Sequence, residues 1–523
     1  MSLRCALAAR SSKRPESAGP LACITAVLFI LYATMSRSKL PSSLDGARIH
    51  MVGIKGTGMV GLADVLQCQG AVVTGSDTDE VFYTDEILKQ LRIPYQERFS
   101  SENLSEDVQL VVHSPAYSAS EHPELREAIS RDIPVLSYPE TVGCLSRRSD
   151  ASGICGTHGK STTTAMVGTI LKRLGLPVTI LNAAAVGTFG GRSSLVTGNE
   201  FLVAETCEYR RHFLHFSPQR IVVTCVEEDH LDYFRDLEDI VSAFVEYILR
   251  LPKGGSLVYN ADDAGLLQVV EEVCRKRGDI LLWPYGRQAS GPYRIEEITQ
   301  GEGMTSFRLA GLQQILKLQV PGLYSVWNAT AAIALSILLH ETARARRPED
   351  QAVRDALALF SGCRRRSEVV GQAAGVLFLD DYAHHPTAVA KTLAGLRSFY
   401  PGRRIVVDFM AHTYSRTKAL LAAFGTCFGL ADEVILHRIY ASAREQNEGA
   451  ISGRDLYREV AKSHERVSYF DEVLAAEEYV VNLLKTGDLF VTVGAGDNWR
   501  LGRLIHSRFK EREPTCASAG GPA

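Results

Sequence analysis

A glycine-rich turn that carries a lysine and several hydroxyl groups is the strongest chemical signal in the chain. The run GTHGKSTTT, residues 156–164, follows an apolar strand and opens a helical pattern. Glycines let backbone N–H groups face a phosphate, Lys160 supplies a charge for the β- and γ-phosphate oxygens, and the Ser161 hydroxyl suits Mg²⁺. The standard Walker spacing is absent, because no glycine stands five residues before Gly159. We predict an ATP site formed by Gly156, Thr157, His158, Gly159, Lys160, Ser161 and Thr162.

Acidic and imidazole side chains follow other apolar strands. Glu205 ends the strand FLVAE, and Asp229 and His230 follow the strand IVVTCV. Ligands of open α/β sheets bind at the carboxyl ends of strands, and Mg²⁺ prefers oxygen ligands. The residues alone leave open whether His230 is a metal ligand or an ordinary hydrogen-bonding side chain. Residues 260–263, NADD, follow a further strand and suit either a ribose or base contact or a plain turn.

A second glycine turn lies near the start of the chain. Gly56, Gly58 and Gly61 form the spacing GxGxxG after a strand, and Asp77 follows the next strand. This glycine spacing specifies only a helix N-terminus that can bind a diphosphate. A dinucleotide and a sugar nucleotide such as a UDP-sugar therefore fit equally well. Close helix–strand packing without a ligand is the alternative. The candidate UDP-sugar contacts are Gly56, Thr57, Gly58, Met59 and Asp77.

The last third of the chain holds carboxylates, histidines and arginines. The run DDYAHHP, residues 380–386, follows a buried strand, and its imidazoles could steer an amine or relay a proton. Adjacent histidines are also common as structural polar contacts. Arginine forks bind phosphate or carboxylate oxygens, although a solvated basic face is the usual meaning of such a run. The candidates are Arg364, Arg365, Arg366 and Arg416.

The elements around these motifs predict an α/β protein with three units in series. The 523 residues exceed one hydrophobic core, which stops growing near roughly 250–300 residues. A net charge of −3 gives no basic field for nucleic acid, and 11 scattered cysteines without CxxC spacing fit free thiols in a reducing cytosol. The alternating segment from Pro292 to Leu318 predicts an antiparallel accessory sheet, and Asn328 to His340 predicts a helix.

The ends of the chain do not fit this pattern. An apolar run from Leu21 to Tyr32 follows basic residues and resembles a secretory signal. It is shorter than the roughly 20 residues that span a bilayer, and no clear cleavage site follows. We expect residues 1–45 to be an N-terminal extension with Met35 as the true start, a membrane tether being the alternative. Residues 512–523 are small and polar, which predicts a disordered tail.

Taken in order, these motifs resemble the Mur ligase family from Arg48 to about Phe509. The runs that carry the resemblance are GIKGTGMVGLA, GTHGKSTTT, ETCEYRRHFLHFSP, DDYAHHPT, HTYSRT, YASAREQNEGAISG and TVGAGD. The resemblance implies a Rossmann-like UDP-binding domain, a P-loop-like ATPase domain and a Rossmann-like C-terminal domain on the amino-acid side. We expect these domains at residues 46–148, 149–363 and 364–511.

The resemblance also implies an activity and its partners. It implies that the chain uses ATP to ligate L-alanine to the lactyl carboxylate of UDP-N-acetylmuramate, in peptidoglycan precursor synthesis. The implied enzyme is cytoplasmic, is a monomer or weak homodimer, and binds neither nucleic acid nor a membrane. A recycling ligase that adds a murein tripeptide to the same sugar is the alternative. The resemblance implies two Mg²⁺ ions, with Ser161, Glu205 and His230 as metal ligands. The implied catalytic residues are Lys160, His385 and Arg416. The resemblance also implies that Asn328 touches adenine and that Arg366 faces the nucleotide.

Several positions depart from the family pattern. The family string PGxHNxxNA has Tyr324 and Ser325 in place of its His and Asn, so we expect altered adenine contacts. Lys55 replaces a glycine of the first turn, where it would either add a phosphate contact or point to solvent. Some Mur ligases carry a carbamylated lysine after the DH motif; Glu246 lies in that region, and we expect a native acid to serve instead.

Overall fold

The structure is a computed structural model that describes residues 40–230, 233–301, 303–441 and 451–512. The signal-like run, Met35 and the tail from residue 513 onward lie outside the described residues, so the expectations about them stay predictions. Within the described residues no helix combines the length and the apolar character that crossing a bilayer requires. The eight cysteines in this part of the chain all have free thiols, as predicted.

The first unit is a parallel sheet flanked by helices. Its strands are β1 (Arg48–Val52), β2 (Val72–Ser76), β3 (Tyr95–Gln96), β4 (Leu110–His113) and β5 (Val135–Ser137). Its helices are α1 (Thr57–Cys68), α2 (Thr84–Leu91), α3 (Pro123–Ser130) and α4 (Tyr138–Ser146), with a 3₁₀ turn at Ser101–Asn103. The order β3-β2-β1-β4-β5 is the Rossmann strand order 3-2-1-4-5-6 without its last strand, which confirms the predicted Rossmann-like class of this unit.

The second unit is a seven-stranded sheet that carries the lysine turn. Its strands are β6 (Asp150–Cys155), β7 (Val178–Val186), β8 (Arg192–Val196), β9 (Phe201–Glu205), β10 (Arg220–Val223), β11 (Ser256–Asn260) and β12 (Leu281–Tyr285). Their order is β12-β11-β10-β6-β9-β7-β8, and only the β7–β8 pair is antiparallel. Because β10, β6 and β9 are neighbours, the three polar segments that follow them meet at one edge of the sheet.

Helices cover both faces of this sheet. They are α5 (Lys160–Arg173), α6 (Leu237–Ile248), α7 (Ala264–Lys276), α8 (Tyr324–Arg344) and α9 (Asp350–Ala358), with 3₁₀ turns at Gly187–Phe189 and Tyr209–His215. Helix α8 begins four residues before the predicted start, so Tyr324 and Trp327 belong to its first turn. The predicted accessory sheet is confirmed as an antiparallel sheet of β13 (Ile295–Gly301), β14 (Met304–Leu309) and β15 (Leu316–Leu318).

The third unit is a six-stranded sheet. Its strands are β16 (Glu368–Ala373), β17 (Val376–Asp381), β18 (Ile405–Met410), β19 (Glu433–His437), β20 (Val467–Phe470) and β21 (Leu489–Gly494). The order is β16-β17-β21-β18-β19-β20, with β16 antiparallel to an otherwise parallel sheet. Its helices are α10 (Pro386–Phe399), α11 (Tyr414–Ala419), α12 (Leu421–Thr426), α13 (Gly453–Val460), α14 (Glu477–Leu483) and α15 (Trp499–Glu511), with a 3₁₀ turn at Val473–Ala476.

Candidate functional site

The lysine turn joins β6 to α5 in a conformation that needs glycine. Gly156 has a φ of 125° and Gly159 a φ of 82°, both in the left-handed range that disfavours other residues. A Cβ at Gly156 would lie 2.2 Å from Thr224 Oγ1, and one at Gly159 would lie 2.5 Å from Asn328 Oδ1. Any larger residue would therefore collide with Thr224, just after β10, or with α8. The two glycines bring the backbone of the turn close to both neighbours. The N–H groups of Thr157 and His158 already donate to Cys225, so a phosphate would bind to the N–H groups at the start of α5.

Lys160 begins α5 and folds back over the turn. Its Nζ donates to the backbone oxygens of Gly156 and Thr157, at 2.6 and 3.2 Å, and to Glu208 Oε1 at 3.0 Å. Burial alone would lower the pKa of Lys160, but the nearby acids, Glu208 above all, outweigh it and hold the pKa above its usual range. Lys160 is therefore a permanent cation at the mouth of the turn.

Acids and an imidazole surround this cation in two groups. In the first group, Ser161 Oγ donates to Glu205 Oε2 at 2.8 Å, so the predicted pair does meet. In the second group, His230 Nε2 lies 3.7 Å from Glu208 Oε1, and the ligand atoms of Cys207, Glu208 and His230 all lie within 4.8 Å of one another. His230 has a φ of 55°, which turns it back toward the site. The structure thus pairs His230 with Glu208.

Glu208 is a candidate site residue that sequence reasoning missed. It is buried, contacts Lys160, and its Oε2 has no hydrogen-bond partner among the described residues. The strand pattern ends at Glu205 and so predicted only the first acid; the second acid of ETCE, three residues later, was the available signal. Glu246, in the region where some family members carry a carbamylated lysine, is half exposed, and its carboxylate accepts from Arg211 at 2.8 Å. The expectation that a native acid replaces that lysine stays a prediction.

A cavity of about 510 Å³ opens over the lysine turn. Its walls come from residues 157–162, from Asn260 at the end of β11 and Asp262 after it, from the first turn of α8, and from the third unit through Arg366, Asp381 and Lys391. Asn328 is buried, its Nδ2 has no hydrogen-bond partner among the described residues, and its Oδ1 lies beside Gly159. The structure therefore places the Asn328 amide against the glycine turn, and its expected contact with adenine stays a prediction.

The histidines of the third unit approach the same cleft. His385 caps α10 by accepting from the Thr387 N–H at 3.3 Å through Nδ1. Burial lowers the pKa of His385; Asp229 of the second unit opposes this shift and Arg416 adds to it. His384 is more deeply buried, which with the charge of Arg416 lowers its pKa to about 3. Both imidazoles are therefore neutral near pH 7, and only His385 lies beside charges from two units.

The first glycine turn lies at the N-terminus of α1. Thr57 Oγ1 and Tyr83 Oη lie 2.9 Å apart, and Gly58 and Met59 continue the helix. Both carboxylate oxygens of Asp77 accept backbone N–H groups, from Lys55 at 2.6 Å and Thr78 at 2.8 Å. Asp77 therefore shapes the turn, whatever else it contacts.

Lys55 takes neither of its two expected positions. It is buried, with Nζ 2.9 Å from Glu97 Oε1 and 3.4 Å from Asp85 Oδ1, and it donates to the Glu80 backbone oxygen. The expectation of a phosphate contact or a solvent-facing side chain is wrong, because two carboxylates and a carbonyl already surround this ammonium group.

The neighbouring arginines 364–366 have three different environments. Arg365 is buried against Asp380 Oδ2 at 3.2 Å and the Gly494 carbonyl at 2.7 Å, so it stabilises the third sheet. Arg366 lines the cavity. Arg364 joins all three units, because its N–H donates to Ala185 O, its guanidinium contacts Glu86 at 3.1 Å, and it lies over the rings of Tyr83 and Trp499.

Three family models match consecutive parts of the chain. The Mur ligase catalytic domain matches residues 48–150, the Mur ligase middle domain residues 154–336, and the Mur ligase glutamate ligase domain residues 365–496. The chain belongs to the Mur ligase family.

Two relatives of high identity carry the same enzyme name. The chain is 48% identical to the UDP-N-acetylmuramate–L-alanine ligase of Treponema pallidum strain Nichols, over 91% of this chain and 100% of that protein. It is 38% identical to the same-named enzyme of Borreliella burgdorferi, over 87% of this chain and 98% of the relative. A crystal structure of the Thermotoga maritima UDP-N-acetylmuramate–alanine ligase has a TM-score of 0.72 at 24% identity, covers 89% and 99% of the two chains, and shows the common fold.

Proposed function

We propose that this chain ligates L-alanine to the lactyl carboxylate of UDP-N-acetylmuramate at the expense of ATP, in the cytoplasm, where ATP is available. The observation that carries the proposal is the buried Lys160 cation, which lies between the glycine turn and the acids Glu205 and Glu208 in a cavity partly lined by the third unit. The names of the relatives at 48% and 38% identity support the same substrates. We also propose the domain boundaries given above, and a monomer or weak homodimer.

The first step moves the γ-phosphoryl group of ATP to the lactyl carboxylate. A carboxylate is a poor electrophile, and its approach to a triphosphate brings two anions together. We assign Lys160 and the N–H groups at the start of α5 to the phosphate oxygens, where fixed positive charge stabilises the transition state. Lys160 must leave Glu208 or share its contact, and Arg366 brings a second cation from the third unit. The product is an acyl phosphate and ADP.

The site fits divalent metal, which family membership implies. Ser161 and Glu205 form one oxygen pair, and Glu208 and His230 form a second group in which Glu208 Oε2 is a buried acceptor without a partner. We propose that these residues hold Mg²⁺, in two positions. Bound Mg²⁺ would neutralise phosphate charge. The Glu205 carboxylate is held in place by the backbone, because its Oε2 also accepts from the Ala183 N–H at 3.2 Å.

In the second step the neutral alanine amine attacks the carbonyl carbon of the acyl phosphate, the bond from that carbon to the phosphate oxygen breaks, and the proton lost from nitrogen leaves with the phosphate. His385 accepts at Nδ1, so its neutral ring carries the proton on Nε2 and can donate to an oxygen of the acyl phosphate. We assign Arg416 to the carboxylate of the amino acid. Closure of the third unit over the second would exclude water, which otherwise hydrolyses the acyl phosphate.

The test is phosphate release with ATP, UDP-N-acetylmuramate and one amine at a time. L-Alanine should give the fastest turnover, with glycine slower by roughly 10–200-fold, because one methyl group in an apolar pocket is worth about 1–3 kcal/mol. Reactions that lack either the sugar nucleotide or the amine are the controls. Faster turnover with L-Ala-D-Glu-diamino acid would identify a recycling ligase. NADH oxidation without phosphate release would refute a ligase altogether.

A further inference from the structure

A thiol, a carboxylate and an imidazole meet beside Lys160. The ligand atoms of Cys207, Glu208 and His230 all lie within 4.8 Å of one another. A tetrahedral ion with bonds of about 2.0–2.3 Å needs ligand atoms about 3.3–3.8 Å apart, so side-chain shifts of about 1 Å would complete a site. Mg²⁺ prefers oxygen ligands, whereas a sulfur and a nitrogen together suit a softer ion. The thiol therefore changes which cation this group favours.

The backbone holds the sulfur ligand in place. The Thr206 N–H donates to Ile154 O at 2.8 Å, and the Cys207 carbonyl accepts the Phe213 N–H at 2.9 Å. The Cys207 sulfur also accepts the Tyr209 N–H, and such a donor stabilises a thiolate. Because the backbone on both sides of the thiol is already fixed, binding of an ion would order little more than one side-chain torsion.

The imidazole of His230 is held from the other side. Its ring packs on the ring of Tyr209, with 4.6 Å between the ring centres, and its backbone N–H donates to Asp229 Oδ1 at 2.7 Å. Its Nε2 lies 3.7 Å from Glu208 Oε1. In the tautomer that carries the proton on Nδ1, this nitrogen offers its lone pair to an ion beside Glu208.

Glu208 has a carboxylate oxygen to spare. Its Oε1 accepts from Lys160 Nζ at 3.0 Å, whereas its buried Oε2 has no hydrogen-bond partner among the described residues. A buried acceptor without a partner costs free energy, and a bound cation would remove that cost. A cation on Oε2 leaves the contact between Oε1 and Lys160 in place. The lysine therefore does not exclude an ion from this group.

We infer that Cys207, Glu208 and His230 form a site for a thiophilic divalent cation, Zn²⁺ above all, which displaces Mg²⁺ from this position and inhibits the ligase. The inference rests on the proposed function, in which Glu208 and His230 take Mg²⁺, and it adds a regulation of that site. On binding, the Cys207 S–H bond breaks, its proton goes to solvent, and the sulfur lone pair forms a bond to the ion without a change of oxidation state.

Inhibition follows from the number of open positions on the ion. Three protein ligands leave a tetrahedral ion a single open position. That is too few to bridge β- and γ-phosphate oxygens, as Mg²⁺ does in phosphoryl transfer. Mg²⁺ keeps several water positions that phosphate oxygens can take instead.

The first experiment uses Co²⁺ as a spectroscopic probe, without nucleotide or sugar. Co²⁺ should give a thiolate-to-cobalt charge-transfer band in the near ultraviolet, and equimolar Zn²⁺ should abolish it, because Zn²⁺ competes for the same tetrahedral ligands. Cys207→Ser should lose the band, whereas the matched control Cys274→Ser, which changes an exposed thiol of α7, should keep it. An equal band in Cys207→Ser, or none in the wild type, would overturn the inference.

The second experiment measures the dissociation constant of Zn²⁺ by competition with a chromophoric chelator in excess Mg²⁺. The wild type should bind Zn²⁺ at least about 100-fold more tightly than Cys207→Ser, since even residues that only support metal ligands contribute about 10–100-fold. His230→Gln removes the nitrogen ligand and should weaken binding similarly, which gives a second comparison if Cys207→Ser does not fold. Equal affinities in the wild type and the variants would place the ion elsewhere and overturn the inference.

The third experiment measures phosphate release with Mg²⁺, ATP, UDP-N-acetylmuramate and L-alanine at buffered free Zn²⁺, each protein relative to its own rate without Zn²⁺. At about ten times the wild-type dissociation constant, the wild-type rate should fall about tenfold, whereas that of Cys207→Ser should fall by only about a tenth. Equal inhibition of both proteins would overturn the inference. Absence of phosphate release from the wild type with Mg²⁺ alone would refute the proposed function instead. Because the cobalt band needs no substrate, the two failures are distinguishable.

Discussion

Replacement of Lys160 by alanine should abolish phosphoryl transfer while leaving binding of the sugar nucleotide largely intact. The variant loses the cation that contacts Glu208 at 3.0 Å and that we assign to the transferred phosphoryl group. Comparable phosphoryl-charge stabilisers contribute roughly 10³–10⁵ in rate, which corresponds to about 4–7 kcal/mol of transition-state free energy. Because the first glycine turn belongs to a different unit, binding of UDP-N-acetylmuramate should persist.

The same substitution has a structural cost that must be measured apart from the catalytic one. Removal of Lys160 leaves the buried carboxylate of Glu208 without its cation, and breaking one partner of a buried pair typically costs about 3–5 kcal/mol. The double variant Lys160→Ala/Glu208→Gln removes that charge and should recover most of the lost Tm without recovering activity. This pattern would separate a catalytic role from mere stabilisation.

Two assays decide the prediction. Phosphate release should fall at least 10³-fold in Lys160→Ala, whereas calorimetry should show sugar-nucleotide affinity close to that of the wild type. Retention of more than about a tenth of the activity would refute the assignment of Lys160, because the expected loss is at least 100-fold larger. Recovery of activity in the double variant would show that the single change had only destabilised the fold.

Two further predictions concern Arg364 and His385. Arg364→Ala removes contacts with Glu86 and with two aromatic rings. The KM for the sugar nucleotide should therefore rise about tenfold, whereas the dissociation constant for ATP should stay unchanged. Arg364→Lys should not restore the wild-type KM, because lysine lacks the planar group that stacks on the rings. Burial lowers the pKa of His385 below 6.5, so the ring should be neutral above pH 6.5. Its cap on α10 needs an unprotonated Nδ1 to accept the Thr387 N–H. The cap should therefore be lost as the pH falls through the lowered pKa. A pH–rate profile whose acid limb is unchanged in His385→Asn would contradict this role.

The sequence predicted the sheets well because their signals are local. Glycine turns and continuous apolar runs mark the parallel strands, and neighbouring strands bring Ser161 and Glu205 together at one sheet edge, as expected. The antiparallel β16 was not predicted, since its partly exposed residues lack an apolar run. Helix α8 was predicted too short because Tyr324 and Trp327 in its first turn line a cavity and do not continue its Ala/Leu/Ile face.

The side-chain partners were harder to predict than the elements. Glu208 follows its strand by three residues, and only the folded chain shows that it faces Lys160. Lys55 and Arg365 look alike as exposed basic residues in the sequence, yet each is buried beside carboxylates that lie 15 to 42 positions away. Long-range pairing of charges leaves no periodic pattern, which is why spacing alone did not reveal it.

The contacts that join the units suggest what closes the enzyme. The second and third units meet at Lys391 and Glu227, 3.6 Å apart, and both side chains are about half exposed, at 56% and 44%. The first and third units meet at Tyr440 and Glu80, whose contact is also exposed. Such exposed pairs contribute about 0–1 kcal/mol each, so they add little to the contacts of Arg364, which join the same units. Substrates that bridge Lys160, Arg366 and His385 would add free energy to closure, and loss of phosphate and ADP would remove it. The weakness of these two pairs therefore favours product release, because reopening at these two points does not have to break strong protein contacts.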